Sequence, residues 1–162
     1  MKQILMALSR YEYWANEKML QLVLDLSEAQ QQKEIGSSFP SVYKTCLHMW
    51  DASGIWWQRV QKIEQIVVPS LSFHPFMKDI VNGILHQNQQ WIHWVDEASE
   101  EMLSENLAYK NLKGDAFVQP VSEILLHLPN HGTYHRGQLV TMLRQLGAEK
   151  IPQTDYILFS RS

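Results

Sequence analysis

Apolar residues return at three- and four-residue steps along four long stretches of the chain, and the segments between them carry glycine, proline and serine. The first stretch runs from about Lys2 to Leu26. Ile4, Leu8, Tyr11, Ala15, Met19, Leu22 and Leu26 form its apolar stripe, with glutamate, lysine and glutamine on the other faces. After the break at Gly36, Ser37, Ser38 and Pro40, a second helix is predicted from Ser41 to about Gln65, with Val42, Cys46, Met49, Trp56, Val60 and Ile63 inward. Pro69 and Ser70 mark the next connection. A third helix, from about Pro75 to Ala98, carries Phe76, Ile80, Ile84, Trp91 and Val95, and Pro75 suits a first helical turn. Between Asn106 and Gln119 the pattern alternates loosely around Lys113-Gly114-Asp115, which predicts a short hairpin or ordered loop. The fourth helix runs from about Pro120 to Gly147, a residue suited to a left-handed cap. Pro129 lies inside it, and its missing N–H predicts a kink or local adjustment near Leu125. The tail from Ile151 holds Tyr156, Ile157, Leu158 and Phe159, enough apolar surface to dock on the helices.

Four helices of this kind, each about 36 Å long, predict an all-α four-helix bundle with a short hairpin or ordered loop before the last helix. The 162 residues are read as one domain, 1–162. The connection between the second and third helices, about ten residues, can span roughly 33 Å, so those two helices can run parallel.

Composition narrows the function. Fourteen basic residues against 17 acidic ones give a net charge of -3, and without a Lys/Arg cluster there is no footprint for nucleic acid or an anionic membrane. No apolar run approaches the roughly 18 residues of a membrane span. The single cysteine, Cys46, cannot form an internal disulfide. The first residues reach Ser9-Arg10 before a signal-peptide core is complete, so a cytoplasmic location is expected.

The chemistry lies in the seven histidines. At about 100° per residue, Val121, Ile124, Leu125, Leu128, Leu139, Met142, Leu143 and Leu146 form the inner stripe of the fourth helix, and His131 and His135 fall within it. Imidazoles at i and i+4 lie about 6 Å apart, close enough to share one ion. A third ligand must come from another helix. His48 is the candidate, near the inner face of the second helix where Thr45, Ala52 and Ile55 leave room. Three neutral histidines leave the remaining coordination positions of a divalent ion to water or substrate, as in catalytic rather than structural sites. His127 projects to the edge of the stripe and stands in reserve. His74 sits in a connection, and His86 and His93 share a solvated face. Cys46 projects nearly opposite His48 and is read as a core residue. The tryptophans are read as core and interface filler, with Trp14, Trp56 and Trp57 able to line a pocket. A zincin-type protease is excluded, because Gly132 stands where that motif places its glutamate. Asp51, Glu12 and Glu17 are the carboxylates within reach, Asp51 being read mainly as a surface residue, and no catalytic residue is assigned.

The run Asn130-His131-Gly-Thr-Tyr-His135-Arg136-Gly137-Gln138-Leu139, then Met142 to Gly147, then Asp155-Tyr156-Ile157, together with Tyr13-Trp14-Ala15-Asn16 and Leu47-His48, resembles the DinB family of metal-binding helical bundles. That name is shared with an unrelated DNA polymerase, whose activity is not implied. The resemblance implies an up-down-down-up bundle, one divalent ion on His48, His131 and His135, and a homodimer. Pro129 departs from the apolar residue usual before the motif. Gln138, and Asn16 from the first helix, are expected to hydrogen-bond behind the ligands.

Relatives in this fold include thiol-dependent transferases and proteins described as hydrolases. The expectation is a metalloenzyme whose small-molecule substrate is a low-molecular-weight thiol, activated for attack on an electrophile. Hydrolysis and a non-catalytic metal-binding or interaction role are the alternatives. Three imidazoles serve zinc, nickel, iron and copper alike, and zinc or nickel is the first expectation.

Overall fold

A computed structural model describes residues 1–72, 75–111 and 113–161 of the chain. Among these residues there are eight helices and one two-stranded sheet: α1 (Lys2–Leu24), α2 (Glu28–Gln32), α3 (Val42–Val60), α4 (Pro69–Ser72), α5 (Met77–Glu97), α6 (Glu100–Ser104), β1 (Asn106–Lys110), β2 (Ala116–Pro120), α7 (Val121–Gln145) and α8 (Tyr156–Phe159). The four long helices are those expected from the apolar periodicity. α1 and α3 each pack against both α5 and α7. Along α1 and α5, Lys2 Nζ donates to the carbonyl of Asp96 and Asn16 Nδ2 to Asn88 Oδ1. Along α3 and α5, a Cβ on Gly83 would strike Trp50, and Trp91 Nε1 donates to Ser53. Along α3 and α7, Thr45 lies against Met142 and Trp56 against His127.

The core lies between these helices in two clusters, one around Met19, Leu20, Ile80 and Leu139, the other around Leu5, Trp91, Val95 and Leu125. Leu139 and Leu143 are fully buried on α7. Each such side chain contributes about 1.5–3 kcal/mol by leaving water, and Leu139→Ala is expected to cost about 2–5 kcal/mol. Of the expected stripe of α1, Tyr11, Ala15 and Met19 are buried, but Ile4 is 60% exposed and the inward face also takes in Leu5, Glu12, Asn16, Leu20 and Val23. Two of those added positions are polar, and a stripe read from apolar residues alone leaves them out. Phe76, placed inward by the sequence, is exposed.

The ends of the helices show which signals were audible. α7 closes as expected at Gly147, whose φ of 93° lets its N–H reach the Arg144 carbonyl while Ala148 N–H reaches Leu143. α3 stops at Val60, five residues before the expected Gln65, in the same hydrogen-bond pattern built on Lys62 at φ 56°. No glycine announces that turn. The four short helices α2, α4, α6 and α8 were not foreseen, although Ser27 and Gln30 cap α2 reciprocally and Ser99 caps α6. Pro129 is buried inside α7, which continues as one helix from Val121 to Gln145.

The expected hairpin is present, with Asn106 opposite Pro120 and Lys110 opposite Ala116. Asn111 Oδ1 accepts from the N–H groups of Lys113 and Asp115, and Gly114 takes a φ of 92°. Tyr109 on β1 packs its ring edge-on to Trp56, which leans the hairpin against α3. The tail docks as expected: α8 brings Tyr156 and Phe159 against Tyr11, whose hydroxyl donates to the Thr154 carbonyl.

Candidate metal centre

His48 from α3 and His131 and His135 from α7 meet between the two helices. His131 Nε2 lies 3.2 Å from His48 Nε2 and 3.0 Å from His135 Nε2. Ligands of one ion at about 2.0–2.1 Å stand roughly 3 Å apart, so this spacing suits three adjacent positions around a first-row divalent cation. No fourth histidine, cysteine or carboxylate joins the cluster among the described residues.

Hydrogen bonding fixes which ring nitrogens converge. His135 Nδ1 donates to Gln138 Oε1 at 2.8 Å, and Gln138 Nε2 donates onward to Ser38 Oγ. The Nε2 of His135 is therefore a lone pair aimed at the cluster. Phe39 stacks on the His48 ring at 4.1 Å and holds its plane. Burial, followed by repulsion from His135, pulls the pKa of His48 down to about 4 against the opposing pull of Asp51. The same burial, with His135, His48 and His127 nearby, brings His131 to about 3. Burial also lowers His135, opposed by the Gln138 hydrogen bond. All three are thus neutral at pH 7. One shared proton cannot satisfy three converging nitrogens, whereas a single cation can, and on this ground the residues fit a metal.

Around this cluster the sequence reading divides. Gln138 takes the place expected of it behind His135. Asn16 does not: it is buried among Glu12, Asn88 and Arg136 and touches no ligand histidine. His127 sits beside His131 but outside the converging group. Asp51 is neither a ligand partner nor a free surface group, since its carboxylate accepts from both the N–H and the hydroxyl of Ser70 at the start of α4. His86 and His93 are exposed, with Glu97 beside His93; His74 lies outside the described residues. Cys46 is fully buried, its thiol pushed up to about 12 by burial. Of the three tryptophans, Trp56 lines the cleft beside the histidines, while Trp57 packs on Trp91 and Trp14 on Phe159.

The chain's full span, residues 1–162, matches the profile of the DinB family. It belongs to the DinB family. A curated relative, Protein DinB of Bacillus subtilis (strain 168), is 31% identical over 163 aligned residues, covering 94% of this chain and 92% of that protein. A DinB-like protein from Bacillus cereus ATCC 10987 shares the fold at a TM-score of 0.68 and 21% identity, covering 89% of this chain and 91% of that one. A second DinB-like protein, from Bacillus subtilis, does so at 0.67 and 11% identity, covering 91% and 97% respectively.

Two features of this DinB-family chain escaped the sequence reading. Phe39 reaches His48 and His135, and Ser38 reaches Gln138, from the segment before α3, where composition signalled only a turn. The second is a buried cluster on the far side of α7, where Arg136 Nη1 donates to Glu12 Oε2 at 2.7 Å and to Asn16 Oδ1 at 2.9 Å. Gly132 makes the room: a Cβ there would lie 1.9 Å from Glu12 Oε1. A small cavity of about 30 Å³, enough for one water, lies between Glu12, Asn88 and His131. The signal was present as a glycine one turn before an arginine on an inward face, opposite a glutamate.

On its open side the cluster meets a cleft of about 510 Å³ bounded by α3, α7 and the hairpin turn, into which His48 and His131 face. That volume is within the range of small-molecule sites. No helix among the described residues is long and apolar enough to cross a membrane.

Proposed function

We propose that this chain is a metalloenzyme in which His48, His131 and His135 hold one divalent ion, zinc or nickel, and a low-molecular-weight thiol is activated for transfer to an electrophile. The convergence of three neutral Nε2 atoms beside an open cleft, which His48 and His131 line, carries this reading. A bound divalent ion would lower the pKa of a thiol or water at its open position. Family membership and the absence of a fourth protein ligand among the described residues support an open rather than a closed site.

The disposition of the carboxylates favours thiol over water chemistry. Water is a weaker acid than a thiol and gains more from a protein base on the ion, and the carboxylates beside the cluster are committed. Asp51 is held by Ser70, and Glu12 by Arg136 and Asn16. A thiol needs no such base once its pKa is lowered. The protein's own part is to keep the imidazoles neutral, to fix His135 through Gln138, and to shape the cleft with Ile55 and Trp56.

The helix order up-down-down-up belongs to the same reading. The pairings of Lys2 with Asp96 and Asn16 with Asn88, of Trp50 with Gly83 and Ser53 with Trp91, and of Thr45 with Met142 and Trp56 with His127 support it.

The test is metal content by mass spectrometry on protein purified without chelator or nickel resin. About one equivalent is expected in the wild type and none in His48→Ala or His135→Ala. Thiol consumption is then followed with epoxide, chloroarene and maleyl electrophiles. A wild type without metal overturns the site. A metal-loaded protein inert toward every thiol and electrophile overturns the transferase reading alone.

A further inference from the structure

On α3, His48, Ala52, Ile55 and Arg59 recur at steps of four, three and four, so they share one stripe of the helix, and all four line the cleft. Arg59 ends this stripe, with its Cα about 16 Å along the axis from that of His48. Side chains on a helix lean toward its N-terminus, and this one does. Its guanidinium lies 4.6 Å from the Trp56 ring centre, one turn back toward the histidines, and 4.9 Å from that of Tyr109.

Among the described residues this guanidinium makes one hydrogen bond, from Nη2 to the Lys110 carbonyl, and no ion pair. Asp51 is engaged by Ser70 and Glu105 by Lys62 at 2.6 Å, and Glu64, which borders Arg59 in the adjoining cleft, forms no ion pair with it. Arg59 is half-buried, so solvent does not fully replace the missing counter-ion, and donors remain free on a planar fork suited to a carboxylate. Exposed Lys113, in the hairpin turn, adds a second positive charge to the same cleft, and Asn111 lies beside it. Ala52, Ile55, Trp56 and Val68 form an apolar stretch of the wall between the cations and the histidines, beside His127 and the Ser70-bound carboxylate of Asp51.

We infer that the cleft selects an elongated anionic substrate, whose carboxylate pairs with Arg59 and Lys113, whose apolar middle lies along Ile55 and Trp56, and whose reacting end faces His48 and His131. This deepens the proposed function, since it names the class of thiol: one carrying an acid group several bonds from its sulfur. Arg59 is thereby a specificity residue rather than part of the reacting centre.

The probes are two thiols matched in length and apolarity, 6-mercaptohexanoate and 6-mercaptohexanol, and their sulfur-free counterparts hexanoate and hexanol. Binding to metal-loaded and metal-free protein is followed by calorimetry and by the indole N–H resonance of Trp56. The wild type is expected to prefer each acid over its alcohol by about tenfold, as for one charge-assisted hydrogen bond. Raising the salt concentration should weaken that preference. Arg59→Gln should remove it while leaving alcohol binding and metal content unchanged. Arg59→Lys should retain part of it, and Lys113→Gln, at an exposed turn, should reduce it without altering the melting temperature. Equal affinities for acid and alcohol in the wild type overturn the inference, and so does a preference that survives Arg59→Gln. A uniform loss of all four ligands in Arg59→Gln also overturns it, leaving Arg59 as a strut for the hairpin. Protein that takes up no metal but still prefers hexanoate to hexanol sinks the metal centre and keeps the anion site.

Discussion

α7 presents two polar clusters on the same turns, one toward α1 and one toward α3, and they are built on opposite principles. Toward α1, Arg136 meets Glu12 and Asn16, donors facing acceptors in a space closed by Tyr11 and Thr133. Charges cancel there, and of Arg136's nitrogens only Nε is left without a partner among the described residues. Toward α3, His131 and His135 meet His48, three like atoms converging beside an open cleft. The first cluster pairs its charges within the protein and serves to join two helices. The second leaves three imidazole nitrogens placed to take a cation, the function proposed for it. Two polar groups facing inward do not by themselves distinguish these cases; whether they satisfy one another does.

The comparison breaks most visibly on the closed side. Arg136→Met leaves the Glu12 carboxylate, whose pKa burial already raises against the pull of Arg136, without its countercharge. A loss of about 3–5 kcal/mol is expected by denaturant unfolding. Glu12→Gln combined with Arg136→Met should recover a large part of it, since no buried charge remains. If the double variant is as unstable as the single one, the pair is not what joins α1 to α7.

On the open side stability should depend on a ligand instead. Zinc held at about a hundred times its Kd should raise the unfolding free energy by about 2.7 kcal/mol, and chelator should reverse the gain. His48→Ala should abolish the response, whereas the paired variant of Glu12 and Arg136 should keep it. A zinc response that persists in His48→Ala would remove that residue from the centre.

The same contrast explains what the sequence could reveal. The histidines could be found because each lies on an inward stripe at a spacing set by the helix itself, and because a metal tolerates few other residue types. Gln138 followed from the same geometry, one turn beyond His135. The Glu12–Arg136 pair was harder to see because its partners lie 124 positions apart and each, taken alone, resembles a solvated charge. Phe39 and Ser38 come from an irregular segment, where no period relates sequence to direction. Lys62 ends α3 in a left-handed conformation that its residue type does not favour, and the ion pair to Glu105 that accompanies the turn is also a contact across distant sequence. Local order was legible, and so was chemistry imposed on local order. Contacts between distant charged residues were not.

A smaller effect sharpens the open cluster. Gln138→Leu removes the acceptor that fixes the His135 ring, while the three ligands stay in place. Loss of such a support typically weakens metal affinity about 10–100-fold, which competition against a chromophoric chelator would resolve. Unchanged affinity would mean that packing by Phe39 and Tyr134 alone orients the imidazole.

The smallest effect expected is the pH dependence of the metal-free protein, because the cluster stands open to solvent on one side. Histidines in the unfolded chain titrate near 6.5, whereas burial brings His48 to about 4 and His131 to about 3 in the folded state. Between these limits the unfolded chain binds protons that the folded chain does not, so stability must fall as pH falls from about 6.5 toward 4, and these groups contribute no slope above that range. Glu12 acts in the opposite sense: its raised pKa favours the folded state as the pH drops toward the carboxylate range, so the histidine effect is cleanest between pH 7 and 5. Urea unfolding of chelator-treated protein across that interval should show a declining midpoint in the wild type and a shallower decline in His131→Asn, which has one fewer suppressed imidazole. Equal slopes in the two proteins would mean that His131 titrates normally in the folded chain, so that burial beside His48 and His135 does not suppress its protonation.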